Sequence, residues 1–196
     1  MEADTAPSRP AVPVMTRADQ PEAIGGLFWG LLRIGIGWLF LWAFVDRLLA
    51  FGFGTGRDPE TGIVDYFGPD AWVNGGSPTA GFLDFGLHTK EPFLGWYSGL
   101  AGHAWVDWIY MASMLLIGLA LVLGIATRLA AFAGIAWMVL FYTASAVWPE
   151  FNPFLDDHVI NSIALAGIAY VGAGRYLGLG RRWERLGLVR RYPILR

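Results

Sequence analysis

The sequence predicts an all-α membrane protein: a four-transmembrane-helix bundle with a long structured outer loop between helices 1 and 2. Three observations predict it. Hydrophobic residues make up 55% of the 196 residues and charged residues 15%, against about 45–50% and 25% in soluble domains. Four apolar runs, roughly Ile24 to Leu49, Trp105 to Ile125, Leu129 to Trp148 and Val159 to Leu177, have the length of about 18–25 residues that the hydrocarbon core of a bilayer requires. The charges between these runs are sorted by side. Arg128 and the C-terminal Arg175, Arg181, Arg182, Arg185, Arg190, Arg191 and Arg196 flank one side, and acids dominate the loops on the other.

That sorting gives an orientation. Basic residues stay in the cytoplasm, so both termini are expected inside a prokaryotic plasma membrane and the acidic loops outside it. Three parts follow: a disordered N-terminal tail over 1–23, the membrane domain over 24–178 with its outer loop at about 53–104, and a basic cytoplasmic tail over 179–196. The tail 1–23 has no apolar core of the kind a cleavable signal peptide carries. The 14 Lys+Arg against 16 Asp+Glu leave a net charge of −2, so no nucleic acid partner is expected; the lipid bilayer is. With no Cys, disulfides, thiolate nucleophiles, iron–sulfur ligation and covalent haem attachment are excluded within this chain. Redox chemistry would have to be borrowed from a cofactor or a partner.

The loop of about fifty residues after the first span is too long to be a plain connection, and it is dense in aromatic residues. Its segment WVNGGSPTAGFL, residues 72–83, breaks any helix at Asn74-Gly75-Gly76-Ser77-Pro78. The anchors Trp72 and Phe82 on either side of that break suit a folded lid over the outer end of the bundle. The Asn74 side chain and the N–H groups of Gly75 and Gly76 are candidate donors to an anionic or carbonyl oxygen, with a purely structural turn as the equal alternative. A short interfacial helix fits Pro92 to Gly99.

Ionisable residues inside a span mark function by default. The first span carries Arg33, Asp46 and Arg47, and at 100° per residue Arg33 and Arg47 share a stripe with Gly26, Gly30 and Gly37. Small residues permit close helix approach, so this stripe should face the bundle. The structural alternative for all three charges is snorkelling to the nearest interface. At the fourth span, Pro149 and Pro153 make a turn that opens on Asp156-Asp157-His158. Either acid can cap the helix, but two acids, a histidine and Asn161 one turn beyond Asp157 exceed what a cap needs. Asp46, Arg47, Asp157 and His158 could therefore converge on the outer side. His88, His103 and His158 lack the spacing for bis-His haem or a metal-ligand motif, so neither is expected.

The first-span pattern R-x-G-x-G-W-x-F-L-W-A-F-x-D-R, the outer W-V-N-G-G-S-P-T-A-G-F-L and N-P-F-L-D-D-H before the last span resemble the DoxX-like superfamily, most of all its DoxD branch, the membrane subunit of thiosulfate:quinone oxidoreductase. The resemblance runs from about Ile24 to Tyr176. It implies a four-helix membrane bundle, electron transfer from thiosulfate to a membrane quinone with tetrathionate as product, and a second redox subunit, DoxA, or a larger complex as partner. The expected function is thus the membrane subunit of a quinone-linked oxidoreductase in a respiratory chain. Quinone is the expected substrate or bound cofactor. Asp46, Arg47, Asp157 and His158 are the candidate catalytic residues, and Arg33, Trp42, Trp72, Asn74, Gly75, Gly76 and Asn161 the candidate quinone- or substrate-binding residues. Trp38, Trp137 and Tyr142 could add apolar walls. The alternative is a non-catalytic scaffold that recruits a redox partner or stabilises a respiratory complex. Four spans without an inverted repeat leave little room for a transporter.

Overall fold

The computed structural model describes residues 19–145, 149 and 152–196. The expected tail up to residue 18 and the expected end of the third span at Trp148 lie outside them. α1 (Asp19–Leu49) begins inside the segment read as tail. α4 (Ala104–Leu123), α5 (Thr127–Ser145) and α6 (Asp157–Val171) complete the bundle. Between α1 and α4, the chain forms a 3-10 turn at Trp72–Asn74 and two short helices, α2 (Ala80–Phe85) and α3 (Phe93–Ser98). After α6, α7 (Gly180–Trp183) and α8 (Gly187–Arg191) close the chain. Among the described residues the one isolated β-bridge, Arg57 with Val64, stands apart from this all-helical pattern.

Three helices are long and apolar enough to cross a membrane: Ile24–Leu49 within α1, α4 and α5. The fourth expected span is shorter than the sequence suggests. α6 has 15 residues, about 22 Å at ~1.5 Å per residue, against a hydrocarbon core of about 30 Å. Gly172, at φ +64°, ends it in a left-handed cap, a conformation that costs a residue with Cβ.

Glycine decides how α1 meets α4. A Cβ on Gly37 would stand 2.8 Å from Leu121 Cβ, and one on Gly118 would stand 2.7 Å from the Leu41 backbone nitrogen. Both distances are below any real contact, so the two helices cross backbone against backbone there. Around the crossing, Ile36, Phe40, Met111, Met114, Ile117 and Leu121 form the core with Leu165 and Ile168 of α6. Large residues such as Phe28, Leu116, Phe132 and Ile163 are exposed on the outer surface of the bundle, as a lipid-facing wall requires.

The stripe of α1 faces its neighbours along its length. Gly26 and Gly30 lie against Tyr176, Arg33 is fully buried, and Arg47 stands 5.3 Å over the Tyr110 ring of α4. The C-terminal segment is a folded cap. The Arg196 carbonyl accepts from Arg128 N–H at 2.9 Å and Thr127 Oγ1 at 3.3 Å, and Trp183 Nε1 donates to the Leu195 carbonyl. The first turn of α5 thus holds Arg196 at one end of the bundle.

Candidate functional site

At the other end, α1 finishes, α4 and α6 begin, and the long loop folds over them. The loop is pinned there by Asp107, in the first turn of α4. Ser77 Oγ donates to its carboxylate, 2.9 Å from each oxygen, while Thr79 donates from its backbone N–H at 3.1 Å and its hydroxyl at 2.6 Å. Asp107 is buried, and a buried carboxylate needs such donors to offset its lost hydration. Further along, the Tyr97 hydroxyl of α3 donates to the Leu140 carbonyl at 2.9 Å and lies 2.6 Å from Thr143 Oγ1, fixing α3 to α5. Trp72 packs edge-on to Trp108 at 4.7 Å.

Beneath these loop elements lies a cavity of about 470 Å³, within the range of about 300–1,000 Å³ usual for small-molecule sites. Its walls are apolar and aromatic, with Phe82, Trp96, Trp105, Trp137 and Phe141 among them, and its polar lining includes Arg47, Thr79 and His158. A smaller cavity of about 90 Å³ adjoins it through shared Tyr110 and Phe141 and is lined by Asn161.

Of the four expected catalytic residues, the large cavity brings two together. Arg47 and His158 line it; Asp46 and Asp157 do not. The Asp46 carboxylate is buried and accepts the backbone N–H groups of Phe53 at 3.0 Å and Gly54 at 2.7 Å. It holds the loop's first turn, and no hydrogen bond joins it to α6 among the described residues. The Asp157 side chain is 82% exposed. His158 instead has Asp156 as its close neighbour, with Nδ1 2.7 Å from Asp156 Oδ2. The other oxygen of Asp156 accepts the Val159 N–H at 3.0 Å, the N-cap bond of α6. Partial burial acts to raise the Asp156 carboxyl, but the bonds from His158 and Val159 outweigh it and hold the group below the usual carboxylate range. Asp156, Asp157 and His158 also present ligand atoms within 4.8 Å of one another.

The expected binding residues are mostly occupied elsewhere. Arg33 lies at the opposite end of the bundle, where Nη1 donates to the carbonyls of Leu121 and Val122, and Nη2 to Tyr176 and Leu177 at 3.0 and 3.1 Å. It caps the C-terminal ends of α4 and of the segment after α6, whose carbonyls lack helical partners. Trp42 belongs to an aromatic stack with Trp38, Phe51 and Phe53. Asn74 Nδ2 donates to the carbonyls of Phe67 and Gly68. The N–H groups of Gly75 and Gly76 bond to Trp72 and Ala71 carbonyls, both at 3.1 Å. These last three residues close the turn on itself and leave its donors no route to the cavity.

Sequence reasoning missed Asp107, Asp156 as the partner of His158, and Tyr97. A signal existed for Asp107: an acid at the third residue of a span invites a partner, and Ser77 and Thr79 are hydroxyls in a motif already singled out. Comparison with protein-family models, with curated proteins and with solved structures returned no match.

Proposed function

We propose that the chain is the membrane subunit of a quinone-linked oxidoreductase, with the quinone headgroup in the large cavity under the loop. The observation that carries this reading is the composition of that cavity: aromatic and aliphatic walls, with Arg47 from α1 and His158 from α6 among the few polar groups. A flat ring bearing two carbonyls and an apolar tail suits such walls. A guanidinium N–H of Arg47 would hold one carbonyl, and His158 would exchange a proton with the other. Thr79, fixed by Asp107, would place its hydroxyl at the same site.

When bound, quinone would supply a two-electron acceptor that becomes quinol on taking up two protons. Thiosulfate is the proposed donor: two thiosulfate ions joined through sulfur give tetrathionate and release two electrons. That donor follows from the resemblance to the DoxD branch, as do a four-span topology with α6 as a short fourth span and the need for a second redox subunit. Both termini are proposed to be cytoplasmic, because Arg128, Arg175 and the C-terminal arginines lie at the Arg33 end of the bundle.

The test is reconstitution of the purified chain in nanodiscs, with decylubiquinone binding followed by quenching of tryptophan fluorescence. Saturable binding that Arg47→Gln weakens at least about tenfold, or about 1.4 kcal/mol, supports the reading. Wild-type protein that shows no saturable binding overturns it. Thiosulfate-dependent quinone reduction, with and without membrane extract, then tests the donor.

A further inference from the structure

Asp156 is the one carboxylate in hydrogen-bond contact with a ring atom of His158 among the described residues, and it is not among the candidate catalytic or binding residues that the sequence pattern gives. Its distance of 2.7 Å to Nδ1 fixes more than orientation. An ionised carboxylate can only accept, so Nδ1 must carry the proton. Neutral His158 then has a bare Nε2. His158 lines the cavity, and its ring packs 6.0 Å from that of Phe141, another cavity wall.

We propose that Asp156 is a positioning residue that keeps the proton of neutral His158 on Nδ1, making Nε2 the atom through which the cavity ligand exchanges a proton with the outer side. The inference rests on the quinone reading above. Its chemistry is a matched pair of states. Imidazolium His158 donates Nε2–H to a carbonyl oxygen. As two electrons arrive from the sulfur donor, that oxygen takes the Nε2 proton, and the resulting hydroxyl donates back to the bare Nε2. One geometry thus holds both redox forms. His158 provides one of the two protons; water on the outer side provides the second and reprotonates His158. Asp157, 82% exposed and with Oδ1 3.4 Å from Nδ1, stands on the solvent side of the same pair. Among the described residues, the other titratable side chains lining the cavity with His158 are Arg47 of α1, Tyr97 of α3 and Tyr110 of α4.

Asparagine separates this role from capping, because Asn caps a helix about as well as Asp. In Asp156→Asn, a side-chain amide that keeps its oxygen on the Val159 N–H turns its NH₂ toward Nδ1. That favours the opposite tautomer, with the proton on Nε2. The experiment uses full-length protein labelled with 15N-histidine in nanodiscs, with the His158 signals assigned through His158→Gln. The expected result is a neutral wild-type His158 protonated on Nδ1, with Asp156→Asn moving the proton to Nε2 and Asp157→Asn leaving it in place. A wild-type ring protonated on Nε2 overturns the proposal without reference to any variant. The second readout is the ratio of decylubiquinol to decylubiquinone dissociation constants. Asp156→Asn should raise it about tenfold, because an Nε2–H cannot accept from the hydroxyl, whereas a merely structural role would weaken both forms equally. An unchanged ratio overturns the proposal. Failure of wild-type protein to bind either form would defeat the cavity reading, while the tautomer still reports whether Asp156 positions His158.

Discussion

Ser77 Oγ lies 2.9 Å from both carboxylate oxygens of Asp107, thirty positions further along the chain. That contact turns a glycine-rich stretch into a lid. Replacing Asp107 with Ala removes the acceptor for Ser77 and for both donors of Thr79, and hydrogen bonds to a charged group contribute about 1.5–3 kcal/mol each, not additively. We expect Asp107→Ala to lower the thermal midpoint and to open the 72–86 segment to limited proteolysis while α1, α4 and α5 stay protected. Proteolysis patterns identical to wild type would mean that the lid is held by its aromatic contacts alone.

The turn within that segment depends on Gly75 and Gly76 for different reasons. Gly75 has φ +94° and open space around its missing Cβ, so Gly75→Ala carries only the backbone penalty of about 1–2 kcal/mol. A Cβ on Gly76 would fall 2.2 Å from the Asp70 carbonyl oxygen, which forces the turn apart. Gly76→Ala should therefore be the more damaging of the pair. Comparison of their thermal midpoints checks the order, and equal effects would contradict the close approach.

Much of this was legible in the sequence for physical reasons. Apolar run length and the glycine stripe of α1 depend on local periodicity, which one chain displays directly. α3 was readable from Pro92 and Gly99 as helix boundaries. The shortening of α6 was not, because uncharged small and apolar residues continue through Gly174 while Gly172 ends the helix. The site residues were harder still. Asp46 and Arg33 announce themselves as charges in apolar runs, yet their partners are backbone groups at Phe53, Gly54, Leu121 and Tyr176. Backbone partners leave no side-chain signature, so a buried charge that satisfies a helix end looks the same in sequence as one that meets a ligand.

Arg33 provides the clearest stability test. Four carbonyls from two segments share its guanidinium, and its planar fork has no equivalent in an ammonium group. Arg33→Lys should recover little of what Arg33→Met loses, and both should lose at least about 2 kcal/mol, the scale of one charged hydrogen bond. Chemical unfolding in mild detergent would measure it. A lysine variant as stable as wild type would show that charge at this position, not the fork, is what the helix ends require.

Acid should act on the start of α6 through Asp156. Its folded carboxyl is held below the unfolded value of about 3.9 by bonds from His158 and Val159. The sign follows from linkage: the unfolded chain binds the proton more readily, so the stabilisation is fully present above the unfolded value and is lost as pH falls through the lowered folded one. Asp156→Asn cannot titrate and should flatten that acid limb, while Asp157→Asn, with its side chain largely in solvent, should preserve it. Thermal midpoints recorded from neutral pH down to about pH 3, just below the unfolded carboxyl value, distinguish the two variants. An acid limb that persists unchanged in Asp156→Asn would assign the acid sensitivity to another carboxylate.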